Sequence, residues 1–160
     1  MIKGKTNAMR LLDKHKISYE LHTYEAKEAM DGVTVASKIG RCKEMVFKTL
    51  VTRGSSQTIY VFVIPVEKEL DLKKAAKVVK EKKIEMILVS EINALTGYVR
   101  GGCSPIGMKK NYQTVIDESA QTLPSFIVSG GKIGLQIEVN PHDLVNIIPL
   151  QFASLVVEND

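Results

Sequence analysis

The chain has 160 residues, 44% of them hydrophobic and 25% charged, with a formal net charge of +4. That is enough for one domain, spanning 1–160, with a real core, and the balance is that of a folded soluble protein, not a disordered one. No apolar run approaches a bilayer's thickness, and the opening MIKGKTNAMRLLDKHK carries no secretory h-region, so a membrane protein and a secreted one are both disfavoured and a cytoplasmic setting is expected.

Met9, Leu11, Leu12 and Ile17 among polar residues predict a short N-terminal helix ending about His15, and YELHTY (19–24) alternates like a strand. VTVASKI (33–39) reads as a helix stopped by Gly40. Residues 45–53 and 58–64 read as an antiparallel hairpin joined by Gly54-Ser55-Ser56-Gln57. Asp71 is placed to cap a helix carrying Leu72, Ala75, Ala76 and Val79, with Lys80, Lys82 and Lys83 near its C-terminal end. Residues 90–96 predict a helical turn or two before Gly97. Strands are expected at 114–117, 125–128, 133–139 and 152–157, with a helix start at Asn140-Pro141-His142-Asp143. Strands and helices mix without strict alternation. The expected fold is α+β, a mixed, barrel-like β-sheet flanked by helices, closure being favoured because it hides short edges.

Three stretches carry possible chemistry. In MVFKTLV (45–51) strand alternation turns Lys48 the same way as Val46 and Leu50, toward the interior. A lysine there either snorkels to water or presents an ammonium at a cleft, as a Schiff-base former or as an anchor for an anionic ligand. GYVRGGCSPIG (97–107) either presents backbone N–H groups to an oxyanion or makes a tight crossover; no P-loop pattern occurs in it. VSGGKIG (128–134) offers Ser129 and amides to a ligand, or else turns a hairpin at its two glycines. Cys42 and Cys103 are far apart with no clustered histidines, which argues against structural zinc and for a reducing compartment. Lysine clusters and the modest positive charge suit an RNA partner without requiring one.

Taken together, VFKTL (46–50), GYVRGGCSPIG and VSGGKIGLQIEVNPHDL (128–144) resemble the motif blocks of the YbaK-type Cys-tRNA(Pro) deacylases, in the same order and at matching separation. ISYELHTYE (17–25) and ELDLKKAAKVVKEKKIEM (69–86) extend the resemblance over essentially the whole chain. The wider superfamily includes the editing domain inserted in bacterial prolyl-tRNA synthetases and the free-standing Ala-tRNA(Pro) deacylases. The resemblance implies a barrel-like sheet flanked by helices and removal of a wrong amino acid from tRNA(Pro). Cysteine and alanine are small enough to enter a proline site, and a second, clearing site is the physical remedy.

Residue by residue, the resemblance makes Lys48 the lysine on which activity depends. It matches Gly101 and Pro105 to the substrate loop, Ser129 and Gly130 to the second glycine turn and Tyr24 to an aromatic near the pocket; amides of Gly101 and Gly102 are then expected at the developing oxyanion, Ser129 at the aminoacyl group, and Met30 and Gln136 beside the substrate. It implies no cofactor and no metal, and a substrate thiol that attacks its own ester. Cys-tRNA(Pro) is the implied substrate, with Cys-tRNA(Cys) as a further one and prolyl-tRNA synthetase as the partner that selects the tRNA. An Ala-tRNA(Pro) deacylase using water and a non-catalytic tRNA- or nucleotide-binding module share the same pattern. The chain departs from the family in having Gln136 where Asp is frequent. Its segment EAKEAMDG is short and carries Met30 or Asp31 in place of an aromatic, and Cys103 stands at an aliphatic position, read as packing.

Overall fold

The structure, a computed structural model, describes residues 4–158. Helix α1 (Asn7–Lys14) begins where the Thr6 hydroxyl accepts the Met9 N–H, and it turns Ala8, Met9 and Leu12 inward on one face. Helix α2 (Gly32–Ile39) starts on Asp31, whose carboxylate accepts the Thr34 N–H, and stops at Gly40 in the left-handed region, φ +70°. Helix α3 (Leu72–Val78) is capped by Asp71 as the sequence predicts, and α4 (Ile92–Thr96) ends at Gly97, φ +85°.

The described residues form eight strands in two sheets. Strands β1 (Glu20–Thr23), β7 (Leu135–Val139) and β6 (Phe126–Lys132) lie side by side in that order, all antiparallel. The larger sheet runs β4 (Ile84–Met86), β2 (Phe47–Gly54), β3 (Ile59–Pro65), β5 (Gln113–Asp117), β8 (Leu150–Ala153). Its β2–β3 hairpin is antiparallel and its β3–β5 and β5–β8 pairs are parallel. Between the sheets the described residues make one bridge, Val46 to Ile127. The sheet is therefore not a closed barrel, because past that bridge β2 pairs with β3 while β6 pairs with β7. Three of the sheet edges are short, β1, β4 and β8 having four, three and four residues, and the fourth, β6, meets the start of β2 at the Val46–Ile127 bridge.

Strand β3 explains the layering. Val61 and Val63 face the main core with Phe47, Phe126, Val128, Ile137 and the apolar face of α1, and the Phe47 and Phe126 rings meet edge-on at 5.3 Å. Tyr60, Phe62 and Ile64 point the other way, against Ala75 and Ala76 of α3. A strand buried on both faces reads as a continuous apolar run, as IYVFVI does.

Several local expectations shift. Strand β4 had no sequence signal, since two of its three residues are exposed. Residues 141–146 form a 3₁₀ helix after the Asn140 cap. The last strand is β8, followed by a lone bridge from Val156 to Leu70. Gly130-Gly131 is not the hairpin turn but a bulge within β6; the chain reverses at Ile133-Gly134, where Gly134 has φ +90°.

The β2–β3 loop is latched by Glu81, whose carboxylate accepts bonds from the Ser55, Ser56 and Tyr60 hydroxyls and from the Ser56 N–H. Those bonds, Ser56 and Tyr60 foremost, pull its pKa from 4.5 to about 2. A depressed carboxyl pKa contributes stability above the unfolded value and loses it as pH falls through the folded one. Glu81→Gln should accordingly lower the urea midpoint at pH 7, and the gap from the parent protein should close as pH falls from about 4.5 toward about 2.

Candidate active site

Strand β4 pairs only with Thr52–Gly54 of β2, so the first half of β2 keeps an open edge beside the Val46–Ile127 bridge. A pocket of about 140 Å³ opens there between the two sheets. It is well below the roughly 300–1,000 Å³ of pockets that enclose drug-sized ligands, and suits one small group entering from an open mouth. Its apolar lining is Met30, Val35, Val46, Phe47 and Val66, and its polar lining is Lys48, Thr49, Ser129, Gln136 and Cys103, with Gly32 and Gly101 completing the wall.

Because the pocket sits at an open strand edge, neighbours from both faces of β2 reach it. Lys48 pairs across the hairpin with Ile64, on the face of Leu50, as alternation predicts. Its side chain is half-buried, and burial lowers the ammonium pKa below 10.5, with the charge of Glu69 partly offsetting this. A lysine held this way is an underpaired cation on a pocket wall, a better description than a snorkelling surface residue.

From the opposite sheet, Ser129 and Gln136 are register partners on β6 and β7, which puts a hydroxyl and an amide side by side. Gln136 is 6% exposed. The Ser129 hydroxyl accepts the Gly131 N–H at 3.3 Å, a bond made possible by the bulge, and Gly131 takes φ +101° to form it. Thr6 holds the same bulge by donating to the Gly130 carbonyl at 2.6 Å. The two glycines thus shape a strand irregularity that aims Ser129 at the pocket, a role invisible to a reading that weighed only turn against ligand loop.

The loop 97–107 supplies the third wall. The Tyr98 hydroxyl donates to the Ile106 carbonyl at 2.6 Å and closes it on itself. Gly101, φ +84°, borders the pocket and lies against Ala29. Gly102 is buried, its N–H donates to the Val99 carbonyl at 2.9 Å, and a Cβ there would come within 3.0 Å of the Lys132–Ile133 backbone. That amide is already used and Gly102 packs the loop onto the β6–β7 hairpin, leaving Gly101 as the member of the pair at the pocket.

Of the residues expected at the site, Lys48, Gly101, Met30, Ser129 and Gln136 come together at the pocket. Tyr24 does not line it; its N–H donates to the Gly134 carbonyl and ties the end of β1 to the hairpin turn. Pro105 is buried beside Gly107, Met108 and Tyr112 in a separate crevice, and Gly130 is buried under the bulge. Thr49 and the α2 residues Gly32 and Val35 line the pocket without having been expected there. Cys103 also lines it; burial pushes its thiol up to about 11, and its Sγ points to the Thr96 hydroxyl at 3.9 Å, so at neutral pH it is a protonated packing group.

Away from the pocket, Glu20, His22 and Glu138 bring three possible metal-ligand atoms within 4.8 Å of one another. Glu138 there accepts from Ser125, pairs with His22 at 2.8 Å and lies 3.3 Å from the Arg41 guanidinium. Burial would raise its pKa, but Ser125, His22 and Arg41 outweigh it and hold the carboxyl below its ordinary value. The arginine supplies the positive charge that a cation would otherwise bring, and the cluster ties β1, β7 and the end of α2 together.

The described residues thus form a small two-sheet α+β fold with a pocket lined by a lysine, hydroxyls and an amide at the sheet junction. The chain belongs to the family of the aminoacyl-tRNA editing domain, whose model matches residues 26–147. It is 44% identical over 155 residues, 96% of this chain and 94% of the other, to a protein of Enterococcus faecalis (strain ATCC 700802 / V583) named "Putative Cys-tRNA(Pro)/Cys-tRNA(Cys) deacylase EbsC". Two solved structures share the fold. One is described as a "putative trans-editing enzyme for prolyl tRNA synthetase" (TM-score 0.82, 23% identity, 98% of this chain and 100% of that one). The other is described as "hypothetical protein APE2540" (TM-score 0.85, 20% identity, 95% and 100%). Among the described residues no helix is long and apolar enough to cross a membrane.

Proposed function

We propose that this chain, acting as one domain in the cytoplasm, removes cysteine esterified to tRNA(Pro) and also to tRNA(Cys), with prolyl-tRNA synthetase as the partner that presents the mischarged tRNA. The observation that carries the reading is the underpaired, half-buried Lys48 on the wall of a small pocket shared with Gly101, Ser129 and Gln136. The 44% identity to a relative named for this activity supports the substrate.

In the proposed site Lys48 holds the electron-rich 3′ end of the tRNA, and the Gly101 region lies against the ester carbonyl where negative charge develops. Met30, Val35 and Phe47 enclose the small side chain, and Ser129 and Gln136 orient the rest of the aminoacyl group. The pocket lining offers a protonated Cys103 thiol and the hydroxyls of Ser129 and Thr49, and none of the three is hydrogen-bonded to a base that would activate it as a nucleophile. The substrate's own sulfur fills that role. Its thiol gives up its proton and attacks the ester carbonyl carbon, a C–S bond forms, and the C–O bond to the ribose breaks. The ribose oxygen takes a proton, so that free tRNA and a four-membered thiolactone leave.

A deacylation panel tests this. Cys-tRNA(Pro) and Cys-tRNA(Cys) should be cleared, while Pro-tRNA(Pro) and 2-aminobutyryl-tRNA(Pro), the latter matching cysteine with a methyl in place of the thiol, should persist. Release of 2-aminobutyrate or alanine at the cysteine rate would replace the thiol route with attack by water, and binding of tRNA that weakens with salt but brings no ester cleavage would replace catalysis with binding.

A further inference from the structure

Among the described residues one buried side-chain polar atom has no hydrogen-bond partner, Thr49 Oγ1, and it belongs to a residue of the pocket wall. The other buried or half-buried threonine hydroxyls find main-chain acceptors. Thr52, three residues along the same strand, donates to the Tyr60 carbonyl at 3.0 Å, Thr96 to Ile92 at 2.7 Å, and Thr114 to Tyr112 at 3.0 Å. Thr49 sits opposite Val63 in the hairpin, with Val51 next on its own face. Valine, the same shape without the hydroxyl, would satisfy every packing demand of that position, and a buried hydroxyl without a partner is destabilising. The oxygen has no structural use that the fold displays; covered as it stands, it meets a ligand once the Thr49 side chain turns about its Cα–Cβ bond toward the pocket.

The pocket also says what such an oxygen would meet. Its lining contains a cation and an amide but no carboxylate, Gln136 taking the place opposite Ser129. An aminoacyl ester brings an α-amino group whose N–H donors need acceptors. Neutral oxygens must therefore take them. We propose that Thr49 Oγ1 accepts a hydrogen bond from the α-amino group of the aminoacyl ester and so fixes the carbonyl carbon relative to Lys48. This rests on the reading of the pocket as the aminoacyl site, and it adds a substrate contact to that site.

Thr49→Val, Thr49→Ser and the parent protein are compared on Cys-tRNA(Pro) and on the same tRNA carrying 3-mercaptopropionate, which keeps the thiol and ester but lacks the amino group. On the cysteinyl ester Thr49→Val should lose about ten- to a hundred-fold in kcat/KM, the scale of one hydrogen bond to a polar or charged group, while Thr49→Ser retains most of it. On the mercaptopropionyl ester the parent and Thr49→Val should be equal. The urea midpoint of Thr49→Val should equal or exceed the parent's, since an unpartnered hydroxyl has been removed. Equal turnover of the cysteinyl ester by parent and Thr49→Val overturns the proposal. So does an equal loss on both esters, or a fall in midpoint, which would mean that the hydroxyl has a structural partner. Lys48→Ala run alongside separates the two ideas: activity surviving there refutes the lysine's role and leaves the Thr49 comparison readable.

Discussion

Lys48→Ala should lose deacylation of Cys-tRNA(Pro) by at least about a hundred- to a thousand-fold, the scale set by removing one preorganised electrostatic group from an active site. The fold should survive, with a urea midpoint no lower than the parent's. Lys48 is half-buried, no carboxylate lies within salt-bridge distance among the described residues, and burial already disfavours its charged form. Removing it takes away a cost as well as a contact. Lys48→Arg should not restore full activity, because a planar fork cannot replace a point charge in so small a space. The pH profile carries the same signature. The ammonium is the useful form, so activity that depends on it is full below its pKa and falls as pH rises through it. In the free protein that alkaline limb lies below 10.5, since burial depresses the value, and tRNA bound against the ammonium moves the limb back up. Near-normal turnover by Lys48→Ala, with the fold intact, would sink the assignment.

What was legible in the sequence followed from local physics. Caps at Asp71 and Asn140, the stop at Gly40 and the hairpin around residues 54–57 are decided within a few residues, and all appear where the pattern put them. The inward turn of Lys48 follows from strand alternation alone. What was hidden depends on pairing between distant segments. That Ser129 stands beside Gln136 is a register fact, and the bulge that makes Gly130 and Gly131 part of a strand rather than a turn is set by β7. The open sheet junction, in place of a closed barrel, results from β4 pairing with only the far end of β2, and three residues with mostly exposed side chains leave no pattern to read. Thr49 escaped notice because a threonine in a strand is ordinary until its hydroxyl is seen to lack a partner. Of the other residues expected at the site, Gly102 is pressed on the Lys132–Ile133 backbone, Tyr24 ties β1 to the hairpin turn, Pro105 lies in a separate crevice and Gly130 is buried under the bulge.

Gly101→Ala should reduce kcat/KM by about a hundred-fold, more than its effect on stability alone would explain. Gly101 holds φ +84°, a conformation an alanine adopts at a cost of about 1–2 kcal/mol. Its Cβ would lie 2.5 Å from the Cβ and 3.1 Å from the Cα of Ala29. Relief requires either that the loop draw back or that the chain at Ala29 move, taking Met30 with it. Both are pocket walls, one bearing the Gly101 backbone and the other the Met30 side chain. The loop has little freedom to retreat, because Tyr98 is bonded to the Ile106 carbonyl, Ile106 N–H to the Ser104 hydroxyl, and Gly102 is pressed on the Lys132–Ile133 backbone. A displacement of order 1 Å in a positioning group is enough for a loss of that size. Ala29→Gly in the same chain removes the nearer clash and should return part of the activity, while the tight approach to the Ala29 backbone and the positive φ keep the recovery incomplete. The cycle of the two single variants and the double variant measures this coupling, provided each stays folded by urea denaturation. Activity of Gly101→Ala close to the parent's, or a double variant no better than the single one, would mean that the loop yields freely and that Gly101 does not set the geometry of the pocket.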